Sequence, residues 1–129
     1  RPQLGRGALM VRDWPGLKAL ALSLDLPQVT EAAPWGNPCL KAHGKMWAWW
    51  SPYRDAAVVK CGFEEREALM AADPETFVLH PHYAAHPYVL VAAGRIDPDW
   101  MRARLLRAWR EAAPKRWLRD WDAAQGHGV

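Results

Sequence analysis

Within residues 26–60, four of the chain's nine tryptophans, Trp35, Trp47, Trp49 and Trp50, stand among four cations, Lys41, Lys45, Arg54 and Lys60. Flat aromatic faces can stack on bases, and ammonium or guanidinium groups can meet phosphates, so this mixture suits an anionic ligand with planar parts. A second basic set, Lys115, Arg116 and Arg119, meets no acid before Asp120, although Trp117 and Trp121 beside it predict that the segment packs down. Arg104, Arg107 and Arg110 lie three apart and project together from a predicted helix, sharing their face with Glu111. The residues expected to contact nucleic acid are therefore Lys41, Lys45, Arg54, Trp47, Trp49 and Lys60, with Lys115 and Arg116.

Other chemistry is poorly supplied. His80, His82 and His86 could present three imidazoles from one loop, a set that zinc accepts with a water as fourth ligand. No carboxylate lies between Glu75 and Asp97 to orient them, and Pro81 and Pro87 give the loop a structural purpose, so no metal is expected. Glu31, just before Pro34-Trp35, is better suited to holding a loop through backbone hydrogen bonds than to acid–base work. The only serines are Ser23 and Ser51, neither in a nucleophile elbow, and no phosphate-binding glycine loop or dinucleotide fingerprint occurs. An enzyme is not expected, nor any cofactor. Cys39 and Cys61 lack a C-x-x-C spacing and read as small buried hydrophobes.

These residues need a scaffold. Residues 1–12 hold two glycines and little periodicity, predicting a loose arm. Asp13 can cap a helix with Pro15 in its first turn, Leu17, Leu20, Ala21 and Leu24 recur at helical spacing, and Pro27 stops it. Leu40–Ala42 and Lys45–Trp50 flank a His43-Gly44 turn, and Ala56–Cys61 is a third strand. If the hairpin register runs on unbroken, Ala42 faces Lys45, Lys41 faces Met46 and Leu40 faces Trp47. One face would then carry Leu40, Trp47 and Trp49, and the other Lys41, Met46, Ala48 and Trp50. A short helix over Glu64–Ala72 follows, then a brief strand at Phe77–Leu79, an irregular loop, and an apolar strand at Tyr88–Ala93. Asp97-Pro98 opens a long helix that Pro114 interrupts. Tight turns exclude parallel pairing. The expected fold is α+β and two-layered, with an antiparallel sheet of four to five strands and helices packed on one face. One domain is expected over residues 13–122, with residues 123–129 a frayed tail.

Composition sets outer bounds. A chain of 129 residues forms one core, half of its residues are apolar, and the net charge is +3. Residues 1–60 carry eight Lys/Arg against four Asp/Glu, residues 61–94 one against five, and residues 95–129 eight against five. A basic front and tail thus flank an acidic middle. No run reaches 18 apolar residues and no secretory signal pattern is visible, so no membrane partner and a cytoplasmic location are expected. The chain is read as a monomer or homodimer.

With the elements placed, a set of short blocks stands out. They are Leu26-Pro27 to Glu31 with Pro34-Trp35-Gly36-Asn37-Pro38, then Gly44-Lys45-Met46-Trp47-Ala48, and Val59-Lys60. His80-Pro81 with Tyr88-Val89-Leu90-Val91 follows, and Ala113-Pro114-Lys115-Arg116 closes the set. In this order they resemble the motifs of MmcQ/YjbR-type proteins over roughly residues 14–118. The resemblance implies a frataxin-like α+β fold and DNA binding, and brings no catalytic residues. The chain departs from the family at Ala84-Ala85-His86-Pro87, where a glycine is usual. An iron-chaperone role would need an acidic ridge on the first helix, where Asp13 and Asp25 are the only acids. The functional expectation is a non-enzymatic DNA-binding protein with little sequence preference. The alternative is a module holding a small planar molecule or a partner protein on the tryptophan-rich face.

Overall fold

The computed structural model describes residues 10–126. The elements run α1 (Trp14–Leu22), β1 (Val29–Ala32), β2 (Cys39–Ala42), β3 (Lys45–Trp50), β4 (Ala56–Lys60), α2 (Phe63–Ala72), β5 (Phe77–Val78), β6 (Tyr88–Ala92), α3 (Pro98–Ala112) and α4 (Lys115–Ala124). Helix starts follow local chemistry. The Asp13 carboxylate accepts from the Gly16 N–H at 2.9 Å, and the Asp97 carboxylate accepts from the Trp100 N–H at 3.2 Å. The fold is α+β, as expected, with an antiparallel sheet of order β1-β2-β3-β4-β6-β5. Six strands replace the four to five expected. The additional strand is β1, whose Val-Thr-Glu-Ala has no apolar run and pairs only with β2.

The first hairpin departs from the unbroken register. His43 (φ 53°) and Gly44 (φ 80°) form a turn with both central residues left-handed, which matches the twist of the flanking strands. Ala42 faces Lys45 and Lys41 faces Met46, but Leu40 then faces Ala48 and Cys39 faces Trp49. Trp47 is thus the extra residue of a β-bulge. Trp47 and Ala48 both turn toward the helices, and the alternation resumes with Trp49 on the opposite face. A second irregularity lies beside it: β3 pairs with β4 only at Trp49–Val58 and Trp50–Ala57. The sheet therefore opens between the first half of β3 and the end of β4.

The inner face forms the main core. Leu40, Ala42, Trp47, Ala48, Ala57, Val59, Val89 and Val91 pack against Leu17, Leu20 and Ala21 of α1 and Met101, Leu105 and Trp109 of α3. Trp109 is fully buried and its indole N–H donates to the Pro27 carbonyl at 2.8 Å. Trp117 and Trp121 of α4 set their ring edges on Trp109, at 5.7 and 4.8 Å between centroids. The outer face carries a smaller cluster, Cys39, Trp49, Ala56, Val58, Leu90 and Tyr83, the last contributed by the loop before β6.

At the margins of the described residues, Val11 and Ala123–Ala124 are built into the fold. Val11, assigned from sequence to a loose arm, is buried: its N–H donates to Ile96 at 3.1 Å and its carbonyl accepts from Gly94 at 2.9 Å. Ala123 and Ala124 complete α4 rather than beginning a tail. Residues 1–9 of the expected arm and 127–129 of the expected tail lie outside the described residues. Among the described residues, no helix is long and apolar enough to cross a membrane.

The arginines of α3 do not form a free basic face. Arg104, only 9% exposed, makes two hydrogen bonds to Glu65 at 3.1 and 2.7 Å, Arg107 reaches the same carboxylate at 3.1 Å, and Arg110 makes two to Asp122. The hydrogen bond from Arg104 above all, with the charges of Arg104 and Arg107, pulls Glu65 from the ordinary 4.5 down to about 2 against the opposing effect of burial. A depressed folded-state value stabilises the fold above the unfolded-state pKa, and the contribution is lost as pH falls through the folded value. Urea unfolding should therefore show wild-type stability falling between about pH 4.5 and 2, and Glu65→Gln should flatten that part of the profile.

Candidate nucleic-acid interface

The loop between β5 and β6 packs Tyr83 onto the outer face, and one buried side chain shapes it. Arg66, on α2 and 6% exposed, donates to the carbonyls of Tyr83, Ala84, His86 and Tyr88 at 2.9–3.4 Å. A planar fork with several donors can hold four carbonyls of one loop, which an ammonium could not match. None of Ala84, Ala85, His86 or Pro87 has a positive φ, so the loop needs no glycine where the family usually has one. Tyr83 is tied at its far end, its hydroxyl donating to Ser51 Oγ at 3.0 Å. Ser51 Oγ also accepts from the Tyr53 N–H, so this buried hydroxyl is a strut of the β3–β4 turn.

Between this loop and the Pro34–Gly36 turn lies an open groove of about 550 Å³, lined by aromatic residues that include Trp35, Trp49, Tyr53, His82, Tyr83 and Tyr88. Tyr53 stands half exposed in a preformed stack, 5.3 Å from the His80 ring and 4.3 Å from that of His82. Trp35 is fully exposed and has a left-handed backbone, φ 55° and ψ 27°. For a bulky residue that conformation is rare and costs about 1–2 kcal/mol. No burial of its own ring offsets this cost.

The opening between β3 and β4 adds a slot of about 320 Å³ that shares Met46, Trp49 and Tyr88 with the groove and carries Lys45 and Lys60. Its floor is Ala108 and Ala112 of α3. Small residues there leave room that a larger side chain would fill. Neither lining contains an aspartate or glutamate. Lys41 faces Met46 across β2–β3 and so sits on the outer face, while Arg54 follows Tyr53 in the β3–β4 turn.

The expected site residues thus separate into groups. Lys45 and Lys60 line the slot, while Lys41, paired with Met46, and Arg54, next to Tyr53, neighbour residues that line the groove and slot. Trp49, 8% exposed, forms part of their floor with its edge against Tyr88. Trp47, expected to stack on a ligand, is 4% exposed and spends its indole N–H on the Leu105 carbonyl at 2.9 Å, because the helices cover the face of the hairpin that it shares with Leu40. Lys115 and Arg116 are exposed but belong to the helical layer behind the sheet. Sequence reasoning missed Trp35, Tyr53, His82 and Tyr88 as groove residues. The available signal was the placement of Trp35 between Pro34 and Gly36, at the tip of a turn rather than in a strand.

The histidines do not converge. The His82 N–H donates to His80 Nδ1 at 3.0 Å, so that nitrogen is used within the loop, and both rings flank Tyr53. Among the described residues, no group of three His, Cys, Asp or Glu side chains is placed to hold a metal ion. Cys39 and Cys61 are free, buried thiols whose pKa values burial raises. At the hairpin turn, burial and then the charge of Lys45 lower the pKa of His43.

A family model for YjbR matches residues 24–111, more than half of the chain. The chain belongs to the YjbR family. No curated protein and no solved structure matches it. The YjbR span includes every residue that lines the aromatic groove, together with Lys41, Lys45, Arg54 and Lys60, and ends before Lys115 and Arg116. The groove is thus part of the YjbR unit itself.

Proposed function

We propose that this YjbR protein is a non-enzymatic DNA-binding protein with little sequence preference, and that it meets the phosphate backbone along the aromatic groove and the slot that opens between β3 and β4. The observation that carries this reading is the pairing of an acid-free aromatic groove with a slot bearing Lys45 and Lys60, flanked by Lys41 and Arg54. Cations beside linings that hold no carboxylate attract a polyanion wherever its phosphates fall, which gives affinity without base readout. Among the described residues, α1, α3 and α4 pack their apolar residues into the core against the inner face of the sheet.

Phosphate contacts release counterions, so affinity for a DNA of arbitrary sequence should fall steeply with rising salt. Replacing Lys41, Lys45 and Lys60 together with alanine should weaken binding by a similar factor for unrelated sequences. It should also reduce the slope of log affinity against log salt by roughly two to three, about 0.7–0.9 for each lysine that neutralises a phosphate. Fluorescence anisotropy over a salt series measures both. Binding that is absent, or indifferent to salt, would refute the reading.

The groove volume also lies in the range of small-molecule sites, which favours a second reading in which a planar compound occupies it. Quenching of tryptophan fluorescence by an aromatic compound, at an affinity that high salt leaves unchanged, would support that reading over the first.

A further inference from the structure

We infer that the groove takes unpaired bases, so that the protein prefers single-stranded DNA to duplex, with Trp35 as its principal stacking residue. This rests on the DNA-binding reading and narrows it to a strand class. In a duplex the bases already stack on each other and present only their edges in the grooves. The protein offers the opposite complement: ring faces along an open groove. Trp35 is fully exposed with its ring free to take a base, and Tyr53 stands half exposed in a stack with His80 and His82 that a base can extend. Base–aromatic stacking is tolerant of sequence because every base has a π-face.

The charge pattern fits the same occupant. The groove is nearly all apolar and aromatic, while the cations Lys45 and Lys60 lie in the slot that continues from it through Met46, Trp49 and Tyr88. A single strand can turn its bases into the one and lay its phosphates along the other. A small planar molecule would use the groove and leave the lysines idle. A second protein would have to cover Lys45 and Lys60 with its own acids.

The test compares four probes by anisotropy or competition: a short oligothymidylate, an abasic oligomer of equal length, a duplex of arbitrary sequence, and free thymidine. Oligothymidylate should bind about tenfold or more tighter than the abasic oligomer, since stacking of one or two bases accounts for that factor. The duplex should be weaker than oligothymidylate, and free thymidine weaker still. Trp35→Ala should bring oligothymidylate close to the abasic affinity with an unchanged salt slope, whereas Trp35→Phe should keep most of the preference. Because the Trp35 ring is fully exposed, neither change threatens folding. Equal affinity for oligothymidylate and the abasic oligomer, or tighter binding of the duplex, would overturn the inference while leaving salt-dependent DNA binding standing. Thymidine binding as tightly as the oligomer would overturn it in favour of a small-molecule site. No binding of any polymer would overturn the DNA-binding reading as well.

Discussion

Trp109→Ala should lower the free energy of unfolding by about 4–5 kcal/mol, at the upper end of large-to-small core substitutions. The residue, on α3, is fully buried where α1, α4 and the sheet meet that helix, so its removal leaves a cavity that all of them must relax to fill. The Pro27 carbonyl loses its donor at 2.8 Å, and His43, Trp117 and Trp121 lose the ring on which they pack. A domain of this size has about 5–15 kcal/mol to lose, so the variant should unfold at low urea or fail to accumulate. Trp109→Phe keeps most of the volume and should lose about half as much. Equilibrium urea denaturation followed by far-UV circular dichroism would measure the difference.

Arg66→Ala should be nearly as damaging, by about 3 kcal/mol, and its effect should concentrate on one side of the sheet. Four carbonyls of the β5–β6 loop share this guanidinium, and several would be left without a donor in a partly buried setting. The loop supplies Tyr83 to the outer core and His82, Tyr83 and Tyr88 to the groove. Its loosening should therefore raise hydrogen exchange in residues 79–88 more than in α1 or α3. Exposure of Trp49 should follow, as a red shift of its fluorescence. Arg66→Lys should recover only part of the loss, because an ammonium cannot span four carbonyls at once. Uniform exchange throughout the molecule would show instead that Arg66 supports the whole core.

Much of this architecture is legible from residue chemistry. Asp13, Asp97 and Pro98 mark helix starts by capping, and His43-Gly44 marks the hairpin by its tolerance of left-handed backbone. The site was legible only in part, for a physical reason. A period-two alternation cannot announce a bulge, and burying Trp47 against Leu105 depends on helix α3, which lies far along the chain. Trp47 stays with Leu40 on the core face, the bulge sends Trp49 to the outer face, and most of the other groove aromatics come from turns and loops. Trp35, Tyr53 and His82 carry no periodic signal, and a loop gains meaning only when its anchor is known. That anchor, Arg66, sits in a helix with Glu64, Glu65 and Glu67, and the carbonyls it holds lie 17 to 22 residues further along the chain. Likewise the arginines of α3 read as a basic face until Glu65 and Asp122 arrive from other elements to neutralise them.

The most direct measurement of the central claim is a heteronuclear NMR titration of the labelled protein with a short oligothymidylate. The largest shifts should fall on the Trp35 indole and on Met46, Tyr53, Lys60 and His82, along the groove and slot. Shifts confined to Lys115, Arg116 and Arg119 on α4, or none at all at saturating oligomer, would contradict it.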